Sequence, residues 1–205
     1  MKTLLSNTKK GMTAVEIIVS VSIFIMIFLI ISNFNRDIFF LNSNLQSNMN
    51  AQFYARKVIR TMVMQLRSAS PSSLGSYPIA QAGTSSLIFY SNIDGDAYKE
   101  RIRYFVQGTD FKIGIIKPSG SPLTYNPAQE TVTTLIRDVV PTTTPIFDYY
   151  AETYAGTSTA LTLPIDILSI RLIRATLTID QDVKRLPSAV TATSQVMLRN
   201  LKGNQ

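Results

Sequence analysis

Lys9-Lys10-Gly11-Met12-Thr13-Ala14-Val15-Glu16 stands directly before an apolar run from Ile17 to Ile31, and the reading of this junction decides the fold. Residues 17–35 carry no charge and are dominated by Ile, Phe, Val and Leu. A stretch of that length, at a helical rise of 1.5 Å per residue, covers roughly 28 Å, the thickness of a bilayer core. Lys9 and Lys10 flank one end, while Arg36 and Asp37 cancel at the other. The bias of cationic residues toward the cytoplasm therefore predicts an N-terminus inside and a body outside. Glu16 is the unusual residue, because a carboxylate in a spanning helix costs about 3 kcal/mol on insertion scales and needs a partner or a role. A conventional secretory signal calls for small residues after the apolar core. Ser32-Asn33-Phe34-Asn35 does not supply them.

The helical pattern continues beyond the apolar run. Phe34, Ile38, Leu41, Leu45, Met49 and Phe53 recur at steps of three and four, and Val58, Met62 and Leu66 prolong the stripe. Neither Pro nor Gly interrupts Met12 to Ser70, and Pro71 supplies a stop. A helix from Met12 to Ser68 is about 85 Å long at 1.5 Å per residue. Its first half is predicted to lie in lipid or among other subunits, and its second half to pack one face on a domain.

The net charge of +7 in 205 residues raises the question of an acidic partner. Residues 1–11 contribute +3 through Lys2, Lys9 and Lys10, and residues 12–68 another +3. From Ala69 onward twelve bases face eleven acids, so the body is almost neutral. A nucleic-acid footprint is a basic patch concentrated on the folded domain, and none is visible, so no nucleic-acid partner is indicated. Cys and His are both absent. Disulfides, thiolate metal sites and the usual general base are thereby excluded.

Beyond the helix, residues 69–86 are rich in Ser, Gly, Pro and Ala and read as a linker. Leu87–Tyr90, Arg101–Val106 and Phe111–Ile116 read as strands of an antiparallel meander, turned at Asp94-Gly95-Asp96 and Gly108-Thr109-Asp110. Residues 119–128 read as a loop, and Thr131–Val140 is ambiguous between a strand and a helical turn. Phe147–Tyr150, Ile170–Ile179 and the alternation of Val190, Ala192, Val196 and Leu198 complete the strands, with Pro187 in the last connection. Residues 153–162 are small and polar, a turn or loop. The fold class is α+β: a long N-terminal helix on an antiparallel β-sheet domain.

Candidate chemistry is sparse. Asp94, Asp96 and Glu100 are the one tight acidic cluster, and their oxygens suit calcium. The glycine does not follow three ligand positions as in an EF-hand loop, so solvated acids on a hairpin turn are preferred to a metal site. A catalytic triad would need a Ser–Lys variant, yet Lys99, Lys112 and Lys117 have no nucleophile-elbow or S-x-x-K context. The chain is therefore read as a non-enzyme without a cofactor. Phe147, Tyr149, Tyr150 and Tyr154 read as core or sheet packing before a stacking surface, and Arg56, Lys57, Arg60 and Arg67 as solvated helix charges before subunit contacts.

The opening octet resembles the class III signal of type IV pilins and type II secretion pseudopilins. In that family a basic leader ends in Gly, a hydrophobic N-methylated residue follows, and Glu occupies the fifth mature position. The resemblance implies cleavage after Gly11 by a prepilin peptidase, methylation of the new N-terminal Met12, and pairing of Glu16 between subunits to set axial register. Met12 departs from the usual Phe. Lys9 and Lys10 match the basic leader. An α-amine and a carboxylate at positions one and five lie about one turn apart, which disfavours pairing within one chain. The implied organisation is a leader over 1–11, a membrane and assembly helix over 12–35, its amphipathic continuation over 36–68 and an extracytoplasmic body over 69–205. The implied partners are the peptidase and methyltransferase, other pilin or pseudopilin subunits, an inner-membrane assembly platform and lipid. The body, through the Leu87–Asp96 hairpin, Phe147–Tyr150 and the terminal Val196-Met197-Leu198-Arg199-Asn200, resembles PilW-like minor pilins and the J-type pseudopilin, held to sit at a fibre tip. Two rival readings are a single-pass anchored binding module, for which the helix is only a tether, and an anchored hydrolase, which the missing His and Cys disfavour.

Overall fold

The computed structural model describes residues 11–140, 145–152, 154–180 and 189–198. The expectations for Lys9, Lys10, Thr153, Pro187, Arg199 and Asn200 fall outside them. The elements are α1 (Ala14–Arg67), β1 (Ile79–Ala82), β2 (Ser86–Ser91), β3 (Glu100–Gln107), β4 (Asp110–Ile116), β5 (Thr131–Ile136), β6 (Phe147–Tyr150), β7 (Leu172–Ile179) and β8 (Val190–Met197). Short 3-10 turns occupy Pro127–Gln129 and Ile167–Ser169. The architecture is a mixed α+β fold. The chain divides into two compact units, Met1–Gln46 and Ser47–Gln205, and α1 contributes to each.

Within the first unit, α1 begins at Ala14 because Thr13 takes the capping position, its hydroxyl accepting from the Glu16 amide at 3.3 Å. Residues Ala14–Asn35 are long and apolar enough to cross a membrane, with a mean hydropathy of 2.9. Ile18, Phe24, Met26 and Phe28 are all exposed. Ser20 and Ser22 satisfy their hydroxyls internally, donating to the Glu16 and Ile18 carbonyls at 2.7 and 2.8 Å. That arrangement lets a small polar residue sit in an apolar helix without an unmatched donor.

Within the second unit, α1 ends before Pro71, and Ser68 Oγ donates to the Met64 and Gln65 carbonyls at 3.3 and 3.0 Å, adding side-chain donors at the last turn. Ala51, Ala55, Ile59, Met62, Val63 and Leu66 are buried and belong to the same apolar cluster as residues of β1 through β8. This corrects the phase of the expected stripe. Met62 and Leu66 fall on it, but Met49 is 72% exposed and Phe53 64%. Alanine adds little apolar area to a periodic pattern, yet its small side chain lets neighbours approach closely, so Ala51 and Ala55 define the buried face.

Among the described residues, eight strands form two antiparallel sheets, β1-β2-β3-β4-β5 and β6-β7-β8, a division on which the sequence reading is silent. After β5 the chain turns at Asp138, whose φ is 60°, and Val139 bridges to Ile179 of the second sheet. The Ile146 and Phe147 amides then both donate to the Thr84 carbonyl, at 2.9 and 3.0 Å. An aromatic series links the sheets: Phe89 stacks on Tyr104 with centroids 6.2 Å apart, Tyr104 on Phe111 at 5.7 Å, and Phe111 meets Phe147 at 6.4 Å. Burial of each such ring contributes roughly 1.5–3 kcal/mol.

The meander expected over residues 87–116 is present, with β2 and β3 in register from Ser86↔Phe105 to Ser91↔Glu100. The linker expectation over 69–86 missed β1. This strand has four residues between Pro78 and Gly83, carries a register shift between Ile79 and Gln81, and buries Ile79 fully but not Gln81. The ambiguous Thr131–Val140 begins with a true strand, β5, whose first four residues are exposed on the sheet edge. Edge strands lack the in–out alternation that identifies buried ones.

Candidate functional site

Two groups of candidate residues stand out, one in each unit. At the head of α1, Gly11 is exposed with no positive φ, and a side chain there would meet no atom within 4 Å among the described residues. Neither packing nor backbone conformation within the described chain therefore demands glycine at this position. Met12 is 71% exposed. Glu16 Oε2 accepts from the Thr13 amide at 2.9 Å and from its hydroxyl at 3.1 Å, while Thr13 Oγ1 accepts from the Glu16 amide. This reciprocal capping box is a role the sequence reading missed, although Thr-x-x-Glu before an apolar run is its signature. These donors lie within the residue's own turn, so they give the Glu16 carboxylate hydrogen bonds without supplying a counter-charge.

The second group is the β2–β3 hairpin. Asn92 Oδ1 accepts from the Gly95 amide at 2.7 Å, and its amide nitrogen donates to the Asp96 carbonyl at 2.5 Å. Asp94 Oδ1 accepts from the Asp96 amide at 3.2 Å, and Asp96 Oδ1 from the Tyr98 amide at 2.7 Å. These bonds curl the loop, with Gly95 at φ +78°, so that one carboxylate oxygen of each of Asp94, Asp96 and Glu100 lies within 4.8 Å of the others. The turn is tied down at its base. Tyr125 donates to the Lys99 carbonyl at 2.6 Å, and the Lys99 amide donates to Ser73 Oγ at 2.8 Å.

Lys117, just past β4, brings its ammonium to Asp94 Oδ2 at 2.6 Å and Asp96 Oδ2 at 2.5 Å. The hydrogen bond from Lys117, then that from the Asp96 amide, holds the Asp94 carboxyl below its usual range. Asp94 first, then Asp96, pushes the Lys117 ammonium well above the ordinary lysine value. Glu100 differs from the two aspartates. It is 2% exposed, its Oε2 accepts from the Ile93 amide at 3.0 Å, and its Oε1 is buried without a hydrogen-bond partner among the described residues. The expectation of solvated acids holds for Asp94, but not for Glu100.

The remaining candidates resolve as packing or solvated charge. Phe147, Tyr149 and Tyr150 are buried, and the Tyr149 hydroxyl donates to the Gly83 carbonyl at 2.8 Å. Tyr154 is half-buried beside Tyr150, with centroids 4.3 Å apart. Arg56, Lys57, Arg60 and Arg67 lie on the outward side of the helix, and the three arginines border an open groove of about 560 Å³ together with Thr191, Thr193 and Ser194. Comparison with known protein families, with curated proteins and with solved structures finds no match.

Proposed function

We propose that this chain is a pilin-like structural subunit, a minor pilin or pseudopilin rather than an enzyme. In this reading it is cleaved after Gly11, methylated on Met12 and assembled through α1 into a type IV pilus-like or type II secretion filament. The single observation that carries the reading is the Gly11-Met12-x-x-x-Glu16 spacing at the head of a segment apolar enough to span a membrane. The unconstrained surroundings of Gly11 support it, since a cleavage signal accounts for a glycine that the fold leaves unexplained. The second half of α1 packs on the sheets of an extracytoplasmic body. That arrangement is supported by the burial of Ala55, Ile59, Met62 and Leu66 in the strand core and by the Tyr104 hydroxyl donating to Gln65 Oε1 at 2.7 Å. The exposed Met49 and Phe53 offer apolar area to neighbouring subunits, and the PilW-like resemblance of the body points to a minor subunit at a fibre tip.

One observation favours the rival, a single-pass anchored binding module. The Thr13–Glu16 capping box gives Glu16 a purpose in a helix that assembles with nothing. Intact mass of protein extracted from membranes separates the two. Loss of residues 1–11 together with a gain of one methyl group supports the filament subunit; an uncut, unmethylated N-terminus leaves the tether.

A further inference from the structure

We propose that the β2–β3 hairpin is a calcium site, with one oxygen each from Asp94, Asp96 and Glu100 bound to an ion that takes the place of the Lys117 ammonium. The inference rests on the geometry of this hairpin and not on the proposed assembly role.

The starting point is the imbalance at Glu100. A carboxylate removed from water needs donors or a cation on both oxygens, and the cost of leaving one unmatched is high. Glu100 is 2% exposed, and its Oε2 has a donor in the Ile93 amide. Among the described residues its Oε1 is a buried acceptor without a hydrogen-bond partner, and its carboxylate lies with those of Asp94 and Asp96. The Lys117 ammonium satisfies Asp94 Oδ2 and Asp96 Oδ2. It brings one positive charge to three acidic side chains. A divalent cation brings two and accepts oxygens from any direction.

The spacing selects the ion. Two oxygens bound to one cation lie no farther apart than twice the metal–oxygen distance, about 4.2 Å for magnesium and about 5.2 Å for calcium. The three carboxylate oxygens lie within 4.8 Å of one another, a spread inside the pairwise limit for calcium and outside that for magnesium, which requires the loop to contract. Calcium also tolerates irregular coordination completed by loop carbonyls and water. The Lys117 side chain is 53% exposed and can release its ammonium to solvent, so it acts as an internal competitor that weakens binding without blocking it.

The test is thermal melting of the full chain in detergent, with calcium chloride and then with excess chelator. A site with a dissociation constant on the order of 10⁻⁴–10⁻³ M raises Tm by about 3–10 °C at about 10 mM calcium. The rise is expected to disappear in Glu100→Gln, which keeps the shape and an acceptor oxygen for Ile93. Asp94→Asn serves as the second variant should Glu100→Gln not fold. Lys117→Met is expected to bind calcium several-fold more tightly by calorimetric titration. Equal melting with calcium and with chelator, in both the natural chain and Lys117→Met, overturns the proposal. So does a calcium response that survives in both Glu100→Gln and Asp94→Asn, or a response to magnesium as large as that to calcium.

Discussion

Glu16 Oε2 accepts hydrogen bonds from both the backbone amide and the hydroxyl of Thr13, at 2.9 and 3.1 Å. The pair closes the first turn of α1 and meets amides that an apolar environment would otherwise leave unmatched. It also separates two roles that one glutamate can hold. The capping role needs an acceptor oxygen; the assembly role that the pilin resemblance implies needs a negative charge.

Glu16→Gln therefore keeps the cap and removes the charge, since Gln serves in a capping box as Glu does. The expected outcome is unchanged cleavage and membrane insertion with loss of the subunit from sheared filament fractions, followed by immunoblot. Thr13→Ala is the complementary change. It removes the cap, costs about 1 kcal/mol at the helix terminus, and is expected to leave incorporation nearly intact. Normal incorporation of Glu16→Gln would sink the assembly role and leave the capping box as the reason for the residue.

Gly114 in β4 sits opposite Arg103 of β3, in the register that also pairs it with Val132 of β5. A Cβ at this position would overlap Glu130 Oε1. The Glu130 carboxylate is held there by a two-pronged pair with Arg103, at 2.8 Å from Nε and 2.6 Å from Nη2. Gly114→Ala must displace it. A loss of about 1–2 kcal/mol is expected, because the pair is only partly shielded from water. In a Glu130→Ala background the same substitution should cost much less. A double-mutant cycle in urea reads the coupling directly, and additive costs would contradict the clash.

Tyr104 connects β3 to α1 through the bond from its hydroxyl to Gln65 Oε1, and burial pushes its own ionisation well above the ordinary tyrosine value. Tyr104→Phe is expected to cost about 1 kcal/mol, the net worth of one neutral hydrogen bond. Met62→Ala, which opens a cavity at a side chain with 0% exposure, is expected to cost about 2–5 kcal/mol on the scale of buried large-to-small changes. Near-ultraviolet circular dichroism of the tyrosines during melting measures both. A surface-like response of Met62 would mean that the second half of α1 does not pack on the sheets.

The Asp94–Lys117 pair sets opposite limits on pH. Asp94 has a folded pKa below its reference of 3.8, so its contribution is present above that value and is lost as acid protonates it below about pH 4. Lys117 has a folded pKa above its reference of 10.5, so its contribution is complete below that value and is lost only at still higher pH. Between these limits the pair is expected to contribute a constant amount. Its exposure makes that amount small, and added salt, at about 1 M, should reduce it further. Comparing Lys117→Met with the natural chain across pH, in chelator, checks the sign at each end.

Several features are legible in the order of residues because they depend on neighbours along the chain. The extent of α1 follows from the absence of Pro and Gly over Met12 to Ser70, and β2, β3, β4, β7 and β8 follow from apolar alternation between turn residues. The Thr13-x-x-Glu16 box is equally legible from its residue types and spacing. The charge of Glu16 masks it, because a carboxylate in an apolar helix first raises the question of a counter-ion, and its two acceptor oxygens come second.

The amino-acid order is sufficient for what is local: the extent of α1, the strands with clear apolar alternation, where the apolar segment lies, and the Gly11-Met12-x-x-x-Glu16 spacing. Backbone geometry and side-chain periodicity act over a few residues, so no distant contact is needed to set them. Three features arise instead from the folded arrangement: which face of α1 is buried, the division of the strands into two sheets, and the desolvation of Glu100 while Asp94 remains in water. Burial depends on groups brought together from distant parts of the chain. The fate of a carboxylate depends on burial, so Asp94 and Glu100, close neighbours on one hairpin, meet opposite environments.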